Sequence, residues 1–269
     1  MNTGFYELLG TRFAIHCDNH DLGSEIHRLL DSFAIQAAPQ RPAAFFSIAT
    51  ADDAYRLSLA GEELVAGSSD AVLDGLMSRL NYTALERCPY LASHAGVVAL
   101  GTRGIAFPGP SGSGKTTLTA ACVQSGFGYL SDEALCIEND TGAVVPYPKP
   151  LNVWPQALAK LHVDVAPGRI RPLLLTPDDL GGTMAQPGIE LSDVVIRETN
   201  IDGTSPEMRL WPVPRAQLLM TLMRNAFNHY KYRRVAFEVA ARIAERTRAW
   251  RLTYDDPVAA AALLRAELG

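Results

Sequence analysis

No apolar stretch in these 269 residues is long enough to span a bilayer. The N-terminus, MNTGFYELLGTRFAIHCDNHD, has no basic start running into an apolar core, so no signal peptide is expected. Positive charge is not in excess. The formal net charge of −5 offers no broad surface to nucleic acid or to an anionic membrane. Cysteine is scarce: Cys17, Cys88, Cys122 and Cys136 are scattered without C-x-x-C spacing, which fits a reduced, cytoplasmic setting. His16, Cys17 and His20 fall close together in HCDNH, but a metal site needs a further ligand and a rigid frame, so they are not read as one. There is no repeat and no low-complexity tract.

What is present is ordinary globular material, 48% hydrophobic and 20% charged, enough for one large domain or two small ones. Residues 1–88 read as an N-terminal α/β region, either separate or integral to one domain. Thr11–Ile15, AAFFSIAT and YRLSLAG have strand character. Leu22–Phe33 has helical spacing, and SSDAVLDGLMSRLNYTALERC opens with Ser/Asp capping chemistry on a helical period. This half carries no catalytic constellation.

Residues 89–269 differ. GVVAL and GIAF are strands around a GTRG turn, and the second feeds a glycine-rich loop with a helix, Thr116–Gln124, behind it. GYLSDEALCI is the next strand, and VVPYPKP an extended exit. The Pro- and Gly-rich stretch 164–187 reads as a loop excursion. DVVIRE and AWRLTY are late strands. Gln217–Asn228, Val235–Arg248 and Pro257–Leu268 are helical. In the second of these helices Val235, Phe237, Val239 and Ile243 are expected to face inward. The basic, aromatic run NHYKYRRVAFEVAARIAERTRAWR is then its wet side, with an acidic-peptide surface as the sharper alternative.

The loop Gly109-Pro110-Ser111-Gly112-Ser113-Gly114-Lys115-Thr116 satisfies G-x-x-x-x-G-K-[ST] in full. Glycines let backbone N–H groups approach phosphate oxygens, and the helix start adds its dipole to the same anion site. Lys115 is expected to reach the β- and γ-phosphates of a nucleotide, and the Thr116 hydroxyl to sit on Mg²⁺. Ser111, Ser113 and Thr117 serve loop geometry, with Thr117 near the α-phosphate.

Asp132 and Glu133 follow Lys115 by only 17 and 18 residues, so one helix and a tight turn bring them to the strand beside the loop. In many proteins with this loop the metal-side acid comes much later. Adjacent carboxylates on a strand face opposite ways unless the strand kinks, which implies a division of labour. One acid would hold Mg²⁺ and the other would deprotonate an attacking hydroxyl. His94 opens the strand leading into this region and is a further candidate, although a lone histidine is more often structural. Lys149 in PYPKP, just past the strand bearing the acids, reads as a solvated loop lysine, with a contact to phosphate or to an acidic peptide as the sharper alternative.

His94-Ala-Gly-Val-Val, Gly109–Thr116 and Leu130-Ser-Asp132-Glu133 together resemble the catalytic core of HPr kinase/phosphorylase. The longer run through PYPKPLNV is similar to the HPr-kinase-related proteins of peptide-modification systems, lasso-peptide kinases among them. The similarity covers about residues 90–155 well and the last third loosely. It implies a P-loop fold of the phosphoenolpyruvate-carboxykinase-like kind, a mixed sheet flanked by helices rather than a doubly wound parallel one. It also implies transfer of phosphate from ATP, with Mg²⁺, to a serine hydroxyl of a peptide or protein.

On that resemblance Asp132 is the base, Glu133 the magnesium-side acid beside Thr116, and His94 the histidine near the transferred phosphate, with Lys115 completing the catalytic set. It is compatible with a homo-oligomer. Arg197, Glu198 and Arg224 are the candidates for the family's arginine-bearing segment. The second acid is Glu rather than Asp, and the N-terminal region does not look like that of bacterial HPr kinases, so HPr itself is not the expected acceptor. Two other readings stay open: a kinase of a small hydroxylated metabolite or a carboxykinase-like enzyme, and a nucleotide-dependent switch or peptide-binding protein without turnover.

Overall fold

The structure is a computed structural model and describes residues 2–51, 53–198 and 207–269. The chain is mixed α/β and divides into two compact units, Met1–Pro89 and Tyr90–Gly269.

The first unit contains β1 (Asn2–Leu8), β2 (Thr11–Cys17), α1 (His20–Leu30), β3 (Ala44–Ala51), β4 (Ala54–Leu59), β5 (Glu62–Gly67) and α2 (Ser69–Arg87). Its strands pair with one another in the order β1-β2-β3-β4-β5, so this unit builds its own sheet. Only β2 and β3 run parallel, and α1 is the crossover that a parallel pair requires. Asn19 caps α1 by accepting from the Leu22 N–H, and Leu22, Ile26, Leu29 and Leu30 form its buried stripe. The last turn expected of this helix, up to Phe33, is a tighter 3₁₀ turn, Asp31–Phe33.

Strands β1 and β5 escape a reading of the sequence. Their two-residue turns, Leu9-Gly10 and Ala60-Gly61, hold φ of 49° and 78°, and of 51° and 90°. That is hairpin geometry, but Leu and Ala stand where Asn or Asp would have announced it.

The second unit contains β6 (Leu91–Leu100), β7 (Arg103–Pro108), α3 (Lys115–Gln124), β8 (Gly128–Ser131), β9 (Ala134–Ile137) and β10 (Val144–Val145). Then come β11 (Leu151–Val153), α4 (Pro155–Lys160), β12 (Leu173–Leu175), β13 (Thr183–Met184) and β14 (Glu190–Arg197). The chain closes with β15 (Arg209–Pro212), α5 (Arg215–Arg224), α6 (His229–Arg246), β16 (Arg248–Thr253) and α7 (Pro257–Leu268).

The main sheet runs β10-β9-β6-β7-β14-β16-β15, with β8 also on β6. The sheet is mixed: β7–β14 and β14–β16 are parallel, β6–β7 and β15–β16 antiparallel. Alternation sorts its side chains onto two faces. Val98, Ile105, Phe107 and Val195 pack with α3 and α7, while Val97, Ala106 and Val194 pack with α5 and α6.

Three expectations need correction. The stretch 164–187 is not a bare excursion: β12 pairs with β11, and β13 adds to β8. GYLSDEALCI is not one strand but two, β8 and β9, interrupted at the acidic pair. In α6 the inward stripe is Ala236, Val239, Ala240, Ile243 and Ala244, whereas Val235 and Phe237 are 43% and 52% exposed. Period 3.6 explains this, since positions 235 and 237 flank the row that 236 and 239–240 define. Non-helical backbone at Arg233 marks a kink near the start of this helix.

All four cysteines are buried thiols. Among the described residues no helix is long and apolar enough to cross a membrane.

Candidate functional site

Because β7, β14 and β16 are parallel, their carboxyl ends share one edge of the sheet, the edge where open α/β sheets hold ligands. The glycine-rich loop leaves β7 there. The Gly109 N–H donates to the His94 carbonyl at 3.2 Å, which ties the loop's start to β6. Gly114, at φ 85°, turns the chain into α3, whose first turn has neither a side-chain cap nor an acid. That leaves the helix start suited to an anion. A Cβ on Gly114 would meet Arg197 Nη1 at 2.1 Å, so both backbone and packing require glycine.

Arg197, at the end of β14, donates to the Ser113 carbonyl at 2.6 Å and lies 4.5 Å over the Tyr254 ring. It therefore holds the loop to the sheet. Of the other candidates, Glu198 pairs with Arg251 and Arg224 is exposed on α5.

Lys115 is 7% exposed, and its ammonium donates to the Pro110 carbonyl at 2.8 Å, across the loop. Burial pushes its pKa down, against the pull of Asp132 and Glu133. Pro110, Ser111 and Gly112 are exposed at the loop's crown, and Ser113, Thr116 and Thr117 are half-buried.

The break that presents the acids is local chemistry. Buried Ser131 turns its hydroxyl back to accept from the N–H groups of Glu133 and Ala134, at 3.1 and 3.0 Å. Both β8 and β9 nonetheless pair with β6, and Val97 opposite Ser131 and His94 opposite Ala134 keep one register across the break. Adjacent positions in one register send the two carboxylates into different surroundings. Asp132 points inward and is 4% exposed, with Oδ1 buried and lacking a hydrogen-bond partner. Desolvation raises its pKa to about 7, although Lys149, Lys115 and a hydrogen bond from Thr116 pull the other way.

Glu133 lies outside it, 3.4 Å from Lys149 Nζ and 3.8 Å from His94 Nε2. The Lys149 side chain is only 12% exposed, which corrects its reading as a solvated lysine. His94 packs against Phe227, its N–H donates to the Asn225 carbonyl, and burial lowers its pKa, with Lys115 acting in the same direction.

Thus His94, Lys115, Thr116, Asp132 and Glu133 meet at one place, joined by Lys149. The metal-side pairing implied by the resemblance, Thr116 with Glu133, is not the contact seen: Thr116 meets Asp132, while Glu133 turns to the two cations. Arg197 was already an arginine candidate, whereas Tyr254, stacked under it, and Phe227, packed on His94, were not legible in the sequence because each comes from a distant segment. Comparison with protein-family models gives no match for this chain, and comparison with curated proteins gives none either.

Proposed function

We propose that the chain is an ATP- and Mg²⁺-dependent kinase that transfers the γ-phosphate to a serine hydroxyl of a peptide or protein, on a P-loop fold of the phosphoenolpyruvate-carboxykinase-like kind. One observation carries the reading. A buried lysine that closes a glycine-rich loop stands within electrostatic reach of a buried carboxyl poised near neutral pH. A base at that pKa accepts a proton effectively at working pH.

The residues fit a hard cation. Asp132 Oδ1 is a buried oxygen without a partner, and the Thr116 hydroxyl touches the same carboxylate. Mg²⁺ takes one or two carboxylates and completes its shell with phosphates and water. Thr116 and Glu133 would hold the ion, which would supply charge neutralisation on the phosphates and leave Asp132 beside it as the base.

The loop Gly109–Thr117 binds the phosphate chain, and Lys115 counters its charge. Asp132 takes the serine proton as the serine oxygen bonds to the γ-phosphorus, and the bond to the β-phosphate oxygen breaks to release ADP. Neutral His94 can donate to a γ-phosphate oxygen. Catalysis is positioning and charge stabilisation.

Mg²⁺ titration separates the acids. The base's variant loses turnover at saturating Mg²⁺, whereas the metal-side acid's variant raises the Mg²⁺ requirement. Asp132→Asn is expected to do the first and Glu133→Gln the second. Asp132→Asn with near-normal turnover contradicts the assignment.

A further inference from the structure

The first turn of α3 points two ways. Thr116 faces Asp132, while its neighbour Thr117 and Gly114 line a separate cavity of about 200 Å³. We infer that this cavity, between the first turn of α3, helix α4 and the β16–α7 junction, receives the nucleoside end of the bound nucleotide. The inference rests on the reading that the loop holds a nucleotide.

The polarity follows from the loop. A phosphate chain lying across Lys115, Thr116 and Thr117 has its terminal phosphate at the His94–Asp132 end. Its other end then emerges at Thr117, where the cavity begins. The volume is below the roughly 300–1,000 Å³ of a pocket that encloses a whole drug-sized ligand, so it suits one ring system and its sugar.

The lining suits such a group. Ala157 and Pro257 offer apolar walls, and Gln156 and Asp255 bring polar groups able to meet the edge of a base or the hydroxyls of ribose. The Arg197 guanidinium, stacked 4.5 Å over the Tyr254 ring, closes the cavity wall on the side of the loop. Arg197 links the two functions, because the same side chain fixes the loop at Ser113.

The test is calorimetric titration of the full chain with ADP and with pyrophosphate, both with Mg²⁺. These probes share their phosphates and differ by the nucleoside. The wild type should bind ADP at least about ten-fold tighter than pyrophosphate. Ala157→Trp, which fills the cavity, should weaken ADP about ten-fold or more and leave pyrophosphate within about two-fold. Gln156 is exposed at the rim, so Gln156→Trp gives a second blocking variant should the first fail to fold, with thermal melting as the check.

ADP binding unchanged in a folded blocked variant overturns the inference, as does equal affinity of the wild type for the two probes. In both cases pyrophosphate binding leaves the phosphate-loop reading standing. If the wild type binds neither probe, the nucleotide reading itself fails and this inference falls with it.

Discussion

At the residue scale the account turns on Asp132. Its carboxyl is 4% exposed and titrates near pH 7 when folded, against 3.8 as the ordinary value. The folded chain therefore keeps a proton that the unfolded chain has released over that interval, and this contribution to stability falls as pH rises from 4 to 7. The loss is up to roughly 4 kcal/mol before any relaxation. Asp132→Asn should remove it, so thermal melts should show the variant gaining on the wild type between pH 5 and pH 8. A constant difference across that range would contradict the buried, raised carboxyl. His94 works in the opposite sense, because its lowered pKa withdraws stability as pH falls below the usual 6.5. Catalytically, Asp132→Asn should cost about 10²–10⁴ in turnover while ADP binding stays close to wild type.

At the element scale, the edge of the sheet that carries the glycine-rich loop depends on its opposite edge. Asp193 is fully buried and accepts from Arg103 at 3.1 Å, from Arg248 at 2.8 and 3.0 Å, and from Trp250 Nε1 at 2.8 Å. It binds together the amino-terminal portions of β7, β14 and β16, whose carboxyl ends carry the loop, Arg197 and Tyr254. Asp193→Asn should lower unfolding stability by about 2–3 kcal/mol, measured by denaturant titration. The figure sits below that for a wholly buried pair, because Arg103 and Arg248 are 37% and 50% exposed and can hydrate. Gly96 offers a second test. A Cβ there would meet Thr119 Oγ1 at 2.1 Å, so Gly96→Ala should push α3 off β6 and impair ADP binding.

The sequence made the strand, the glycine-rich loop and α3 legible because each is written in adjacent residues. The two-sidedness of Asp132 and Glu133 was half legible. Strand alternation already separates them, but the break between β8 and β9 at which they stand depends on Ser131 folding back onto two N–H groups. Lys149 and Arg197 were misread or left open because their partners, Glu133 and Ser113, are set by topology. The face of α6 was misjudged by counting large apolar residues, where the helical row is filled instead by alanines among Val239 and Ile243.

At the scale of the whole molecule, the two units have separate sheets. Every residue of the candidate site lies in Tyr90–Gly269, as do the two apolar clusters that flank its main sheet. A fragment of residues 90–269 should therefore fold cooperatively and bind ADP within about three-fold of the full chain. An unfolded or non-binding fragment would show that residues 1–89 complete the site.

The central claim is phosphate transfer to serine. The measurement that tests it most directly follows γ-labelled ATP with Mg²⁺ and a pool of serine-bearing peptides, with Asp132→Asn beside the wild type. The account predicts label as phosphoserine on a peptide, absent with the variant. Label that stays on ATP, or appears only as free phosphate in both, would contradict it.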